Sequence, residues 1–226
     1  MLSRPKSFAV LSLVLAVALS APRAFAGEPV PGLVDHVKRA VVVVNSFDAR
    51  GKLVAQGSGF FVGRERIVTN LHVVGTAARV EVRTFDGQTL SVEGVRAYDA
   101  SRDLALLEAD VPARTEVATL ELEGALPRPG EEIFVVSNPR GAEWRVTNGH
   151  ALAPWLLQEL GEMIPFTAAV ARGSSGGPVV NLEGRVVGIA TMSLRRSREF
   201  HLAVPGECAA ALRPAALHTF PLLPPQ

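Results

Sequence analysis

The chain has 226 residues, with 23 Lys and Arg against 22 Asp and Glu and a single cysteine. A formal net charge of +1 argues against nucleic acid as a partner, because phosphate backbones bind strongly basic surfaces. One cysteine cannot form an intrachain disulfide, so the fold must rest on a hydrophobic core. We expect Cys208 to act as a small buried hydrophobe, with pairing between chains as the alternative.

The first 26 residues have the pattern of a secretory signal peptide. Arg4 and Lys6 precede an apolar run from Phe8 to Leu19, and Ala24-Phe25-Ala26 has the small-x-small pattern of a cleavage site. The apolar run is too short to span a bilayer comfortably, and no cysteine near the cleavage point could take a lipid. We therefore expect cleavage after Ala26 and a periplasmic or secreted product without a membrane span.

Short strands separated by turn signals make up most of the remaining chain. Strands are predicted at 40–47, 52–62, 78–85, 89–98, 104–108, 132–137, 143–153, 164–170, 178–181, 185–191 and 199–204. Only 31–40 and 206–213 have a helical pattern, and Pro214 ends the second of these. A connector rich in proline, glycine and acidic residues, 121–131, divides the strands into two groups. The sequence thus predicts an all-β chain of two antiparallel lobes, either barrels or sandwiches.

The stretch ARGSSGGPVV, Ala171 to Val180, places two serines among glycines. A serine hydroxyl is a poor nucleophile at neutral pH, so it needs a base within hydrogen-bond reach and a group that orients this base. Glycines permit the tight turn that exposes backbone N–H groups to a developing oxyanion. The segment alone fits either a nucleophile or a flexible loop between strands.

Candidate partners for such a serine lie earlier in the chain. His72 follows a short apolar segment, where a strand end meets a turn. Among Asp99, Asp103 and Asp110, Asp103 stands directly before the apolar run 104–107, at a strand entrance where a carboxylate can be buried against an imidazole. Each residue alone is typical of a structural histidine or a turn aspartate. The order His, Asp, Ser on a β-rich chain favours a catalytic set.

Five motifs in this order resemble the HtrA (DegP/DegS) branch of the chymotrypsin-fold serine proteases. They are GSGFFV, TNLHVV, DASRDLALLE, VVSNPRG and GSSGGPVVNLEGRVVGIAT, and the resemblance runs from about Pro31 to Val204. It implies one trypsin-like protease domain at 27–226, made of two six-stranded β-barrel lobes at about 31–120 and 132–205. A short C-terminal helix and tail at 206–226 would follow.

The resemblance also implies a function and its residues. His72 would be the general base, Asp103 its orienting carboxylate and Ser175 the nucleophile of an endopeptidase acting on polypeptides through an acyl-enzyme. The N–H groups of Gly173 and Ser175 would form the oxyanion hole, with no cofactor and no metal. Ser174 stands where the family has asparagine and digestive proteases have aspartate, so we expect no activating cleavage beyond signal removal.

Specificity is expected to depend on a primary pocket that involves Ala169 and the strand Ala190-Thr191-Met192-Ser193. Relatives that cut after Lys or Arg have aspartate at the position of Ala169, and glutamyl endopeptidases have histidine at that of Ala190. Their absence leaves a small aliphatic residue before the scissile bond as the expectation. Arg172 replaces the family's usual proline. With Arg195, Arg196 and Arg198 it is expected to form a solvated basic loop, the alternative being a preference for acidic residues around the cleavage site or for an anionic regulator.

Two features depart from the HtrA family, and two alternative functions stay open. About twenty residues follow Val204, too few for the PDZ domain that HtrA proteases usually carry, and the segment EPVPGLVDHVKRA before the first strand lacks the aromatic residues through which they trimerise. A monomer is therefore expected, with a trimer as the alternative. A binding or chaperone protein with little turnover remains a second function. An esterase is the third, because GSSGG fits the G-x-S-x-G elbow of α/β-hydrolases.

Overall fold

The computed structural model describes residues 32–139, 143–193 and 200–223. The predicted signal peptide and Arg195, Arg196 and Arg198 lie outside these residues. The elements in chain order are α1 (Leu33–Ala40), β1 (Val41–Phe47), β2 (Leu53–Gly63), β3 (Arg66–Asn70), α2 (Leu71–Val74), β4 (Arg79–Arg83), β5 (Thr89–Asp99), β6 (Leu104–Ala109), β7 (Glu132–Ser137), β8 (Arg145–His150), β9 (Trp155–Leu157), β10 (Gly161–Phe166), β11 (Pro178–Asn181), β12 (Val186–Ser193), β13 (His201–Pro205) and α3 (Gly206–Ala210). The predicted all-β class is confirmed.

The first six strands close into an antiparallel barrel in the order β1-β2-β3-β6-β5-β4. The predicted six-stranded barrel is confirmed for this lobe, although β3 was not among the predicted strands. Its interior is filled by branched and aromatic side chains, among them Phe61, Ile67 and Leu107, which are all fully buried. The valine run of β1 is buried on both faces, since Val42 and Val44 point into the barrel while Val41 packs against the second lobe. This two-sided burial explains why the run is continuous rather than alternating.

The second lobe is a seven-stranded antiparallel sheet in the order β8-β7-β11-β12-β13-β10-β9. The segment after β8 returns to β10, because the Thr167 N–H donates to the His150 carbonyl and the Leu152 N–H to the Pro165 carbonyl. These bonds connect the end of β8 to β10, so the six strands β8, β7, β11, β12, β13 and β10 form the ring that was predicted for this lobe. The seventh, β9, was not predicted; it forms a hairpin with β10 and leaves Leu156 largely exposed. The predicted strand 164–170 also ends earlier, at Phe166.

The two lobes share one apolar cluster. Phe60, Val68 and Leu104 contribute from the first lobe, and they join Phe134, Val180 and Leu202 from the second. The chain changes lobes in the predicted connector, where Leu122 pairs with Val186 of β12. After α3 the tail returns to the first barrel, and His218 bridges to Val95 of β5. In the described part of the chain, no helix is long and apolar enough to cross a membrane.

Candidate active site

His72 and Asp103 meet at one end of the first barrel. His72 lies in α2, directly after β3, and Asp103 directly precedes β6, the strand that pairs with β3. His72 Nδ1 is 2.6 Å from Asp103 Oδ2, and the His72 backbone N–H donates to Asp103 Oδ1 at 2.8 Å. A carboxylate accepts this hydrogen bond from a protonated Nδ1, and in the neutral imidazole with that tautomer Nε2 is the acceptor. The ring is thereby held in the tautomer that a general base needs.

Asp103 adopts a left-handed backbone conformation, with φ of 55°. Such a conformation is uncommon outside glycine, although aspartate tolerates it better than most residues. Its carbonyl oxygen accepts from the Leu71 N–H at 3.0 Å and from the side-chain amide of Asn70 at 2.9 Å. Asn70 is fully buried and ends β3, so the first barrel fixes the strained residue from the strand beside it.

Thr191 of β12 connects this pair to the second lobe. Its hydroxyl donates to Asp103 Oδ2 at 2.9 Å, and its carbonyl oxygen accepts from the Ser175 hydroxyl at 3.2 Å. Ser175 is therefore hydrogen-bonded to Thr191, and no hydrogen bond joins it to His72 among the described residues. Thr191 is thus the residue common to Asp103 and Ser175, and Asp103 in turn contacts His72.

The loop before Ser175 is a tight turn held by hydroxyl groups. The Ser174 N–H donates to the Ala171 carbonyl at 2.9 Å, and Gly173 has φ of 104°, as the third residue of a type II turn requires. Ser174 is 1% exposed, and its hydroxyl accepts from the Ser137 hydroxyl at 2.9 Å. The side chain of Ser174 therefore anchors the loop.

Ser58 of β2 holds the same loop from the first lobe. Its hydroxyl donates to the Gly173 carbonyl at 2.8 Å, and its backbone N–H donates to the Ser175 carbonyl at 2.7 Å. The N–H groups of Gly173 and Ser175 donate to no acceptor among the described residues. The chains approach closely here, since a Cβ on Gly176 would lie 2.1 Å from the Ser58 carbonyl oxygen.

A cavity of about 280 Å³ opens beside Ser175. It is lined by Val170, Ala171, Arg172, Ser174, Ser175, Ala190 and Thr191. Arg172, Ala190 and Thr191 thus lie where the sequence predicted a pocket, but Ala169 does not, because β10 has already ended and this residue is exposed while Val170 lines the wall. Met192 and Ser193 continue β12 and pair with Leu202 and His201.

His201 of β13 borders this wall and was not predicted as a site residue. Its Nε2 lies 3.5 Å from the Val170 N–H, and burial lowers the pKa of the imidazole. Cys208 is half-buried against the apolar cluster between the lobes, and burial raises the pKa of its thiol. Across the described ranges, no three His, Cys, Asp or Glu side chains are grouped so that they could hold a metal ion.

The segment after Ser175 excludes one of the three functions. An α/β-hydrolase elbow leads from a strand into a helix. Here Pro178–Asn181 forms β11, which pairs with β7 and β12. The esterase hypothesis is therefore wrong.

Comparison with known proteins shows the family of the chain. The chain is 31% identical over 187 residues to the anti-sigma-I factor RsgI9 of Acetivibrio thermocellus, with 81% of the chain and 26% of the relative covered. It is 34% identical over 187 residues to the serine protease HTRA1B of Danio rerio, covering 77% and 38%. A probable periplasmic serine endoprotease, DegP-like, of Brucella suis is 36% identical over 144 residues, covering 61% and 28%.

The chain thus spans between about a quarter and two fifths of the length of these three relatives. Among solved structures, the serine endoprotease of Yersinia pestis superposes with a TM-score of 0.69 at 25% identity, covering 80% of this chain and 63% of that one. Residues 57–189 match the family model of the trypsin-like peptidase domain, and this match includes the segments that carry His72, Asp103 and Ser175. The chain belongs to the family of trypsin-like peptidase domains.

Proposed function

We propose that the protein is an exported serine endopeptidase in which His72, Asp103 and Ser175 form the catalytic triad. The observation that carries the proposal is the hydrogen-bonded path from His72 through Asp103 and Thr191 to Ser175, which joins residues 72, 103, 175 and 191 across the two lobes. A fold kept only for binding has no chemical need for this arrangement. Polypeptide substrates follow from the peptidase family.

In the reaction, Ser175 leaves the Thr191 carbonyl by rotating about its Cα–Cβ bond and donates to His72 Nε2. His72 takes the hydroxyl proton as Oγ attacks the scissile carbonyl carbon, and it returns this proton to the leaving amine. The resulting acyl-enzyme is hydrolysed by water, which His72 activates in the same way. Asp103 stays ionised, holds the Nδ1 proton and stabilises the imidazolium. A hydrogen bond between nucleophile and base commonly forms only when substrate binds, so the contact of Ser175 with Thr191 is compatible with this reaction.

The oxyanion hole is proposed to be the pair of N–H groups on Gly173 and Ser175. Both are free of acceptors among the described residues, while both carbonyl oxygens of the same residues are bound by Ser58. Two preorganised donors at one point stabilise the charge that develops on the tetrahedral intermediate. Because Ser137 and Ser58 hold this loop by hydroxyl bonds, we expect activity without a newly cleaved amino terminus.

Specificity is proposed to favour a small aliphatic residue before the scissile bond. The cavity beside Ser175 is small, about 280 Å³, and Ala190 and Val170 contribute apolar wall. Arg172 is exposed and also lines this cavity, which supports an added preference for acidic residues around the bond. Export to the periplasm or the medium is proposed from the pattern of residues 1–26 and from the periplasmic description of the DegP-like relative.

The test uses a serine-directed phosphonate probe on the mature protein, with Ser175→Ala and Ser174→Ala as a matched pair of adjacent serines. Ser175→Ala should abolish labelling and lower turnover by about 10⁴- to 10⁶-fold, whereas Ser174→Ala should keep the nucleophile and cost far less. Equal labelling of wild type and Ser175→Ala would show that the nucleophile is wrong. An unlabelled, folded wild type would instead support the binding or chaperone function.

A peptide library then tests the pocket. Cleavage should concentrate after small aliphatic residues, with acidic residues enriched nearby if Arg172 contacts the substrate. Cleavage mainly after Lys or Arg would contradict the pocket argument.

A further inference from the structure

The hydroxyl of Ser58 lies at the contact between the first barrel and the proposed oxyanion loop. It is fully buried and uses both its donor and one acceptor position, since it donates to the Gly173 carbonyl and accepts from the Asn138 N–H, each at 2.8 Å. Asn138 directly follows β7 of the second lobe. One hydroxyl of the first lobe therefore links two separate segments of the second.

The backbone of Ser58 binds the same loop two residues further on. Its N–H donates to the Ser175 carbonyl at 2.7 Å, and its own carbonyl accepts from the Thr69 hydroxyl at 2.7 Å. Thr69 is buried in β3, the strand that leads to His72. Ser58 is thus fixed from its own barrel while it binds Gly173 and Ser175.

These contacts engage the two carbonyl oxygens of the residues whose N–H groups are proposed to bind the oxyanion. The Gly173 carbonyl belongs to the peptide group between Gly173 and Ser174, and the two proposed donor N–H groups belong to the peptide groups on either side of it. Because Gly173, with φ of 104°, has no side chain that restricts its backbone, the orientation of these neighbouring groups depends on contacts such as this one. The Ser58 hydroxyl is the contact that binds the Gly173 carbonyl, and the backbone bond to Ser175 cannot be removed by substitution. The hydroxyl is therefore the replaceable part of the contact.

We propose that Ser58 is a positioning residue that fixes the peptide group between Gly173 and Ser174, which lies between the two peptide groups whose N–H groups form the proposed oxyanion hole. The proposal rests on the function proposed above. Its consequence is that loss of the Ser58 hydroxyl should weaken stabilisation of the tetrahedral intermediate more than it weakens substrate binding. A purely structural serine would show no such preference.

The experiment compares Ser58→Ala with Ser46→Ala. Ser46 is the matched control because it is 1% exposed, lies in the same barrel and donates to a backbone carbonyl, that of Val73, at 2.7 Å. It does not contact the loop 171–176. Ser58→Ala should lose more Tm than Ser46→Ala, because it removes two buried hydrogen bonds and Ser46→Ala removes one. Ser58→Ala alone should lower kcat by about 10- to 100-fold with KM within about threefold of wild type.

An inhibitor pair separates the oxyanion hole from the rest of the site. A peptide aldehyde forms a tetrahedral adduct with the nucleophile, while the product peptide carboxylate binds without one. Ser58→Ala should weaken the aldehyde by about 10- to 100-fold and the product by less than about threefold. Equal weakening of both, or an equal fall of kcat in Ser46→Ala, would overturn the proposal.

A second variant covers the case in which Ser58→Ala does not fold. Ser58→Cys nearly preserves the size of the side chain and replaces a good donor by a weak one, so it should also lower kcat and weaken aldehyde binding. Wild-type kcat in Ser58→Cys or Ser58→Ala would refute the role of the hydroxyl. A wild type that neither cleaves peptides nor reacts with the phosphonate probe would refute the proposed function instead.

Discussion

Removing the Thr191 hydroxyl tests whether the second lobe helps to orient the catalytic acid. The Asp103 carboxylate accepts three hydrogen bonds, two from His72 and one from Thr191 at 2.9 Å. Thr191→Val keeps the shape of the side chain and removes only the third of these bonds. The Thr191 carbonyl that binds Ser175 is unchanged, so any effect should come through Asp103.

The expected loss follows from the charge and exposure of the acceptor. A hydrogen bond to a charged group contributes about 1.5–3 kcal/mol. The Asp103 side chain is 22% exposed, so water replaces part of the lost bond and the cost falls to about 1–2 kcal/mol. This corresponds to a kcat/KM that is lower by roughly 5- to 30-fold.

The assay is steady-state hydrolysis of one peptide substrate by wild type, Thr191→Val and Thr191→Ser. Thr191→Ser keeps the hydroxyl and should stay within about threefold of wild type, which makes it the matched control. Tm is measured on all three variants to exclude general loosening. A kcat/KM for Thr191→Val within twofold of wild type, or an equal loss in Thr191→Ser, would refute the reasoning.

Two further predictions concern stability. Gly176→Ala should lower the free energy of unfolding by about 3 kcal/mol or more, because φ is +86° and a Cβ would lie 2.1 Å from the Ser58 carbonyl oxygen. The control Gly87→Ala has a similar φ of +87° but open space around the new Cβ, so it should cost about 1 kcal/mol. Equal losses for the two variants in chemical denaturation would contradict the predicted clash. Burial lowers the pKa of His201 below its value in the unfolded chain, so its contribution is complete above about pH 6.5 and is lost as the pH falls. Tm of wild type should therefore drop more steeply than that of His201→Gln between pH 7 and 5, and parallel curves would show that His201 does not titrate in this way.

Most strands could be predicted because their apolar residues form runs or alternate, and the exceptions have physical causes. In β3 only Ile67 and Val68 are apolar, while the polar residues Thr69 and Asn70 are fully buried and satisfy partners on neighbouring segments. Such buried polar residues hide the periodicity on which strand prediction depends. The short strand β9 was missed because it extends β10 at an exposed edge, with Trp155 and Leu156 facing solvent.

The site could be predicted only as far as local motifs allow. His72, Asp103 and Ser175 each lie in a recognisable segment; in the structure His72 contacts Asp103, and Thr191 connects Asp103 to Ser175. The contacts of Ser58 and Thr191 join residues 115 and 88 positions apart, so they depend on how the two lobes pack. The sequence does show Ser58 and Thr191 as small hydroxyl residues inside apolar strands. This pattern indicates a buried hydrogen bond, but it does not identify the residue that accepts it.

The division of the site between the lobes determines which contacts control its alignment. His72 and Asp103 are both fixed within the first barrel, since the Asp103 carbonyl and carboxylate are bound by the segment 70–72. Ser175 belongs to the second lobe, so its distance from His72 is set by contacts that cross between lobes. Two hydroxyls make such contacts at the site. Thr191 of the second lobe donates to Asp103 of the first, and Ser58 of the first lobe donates to Gly173 of the second. The alignment of nucleophile and base should therefore respond more to these two hydroxyls than to equally buried groups inside either barrel.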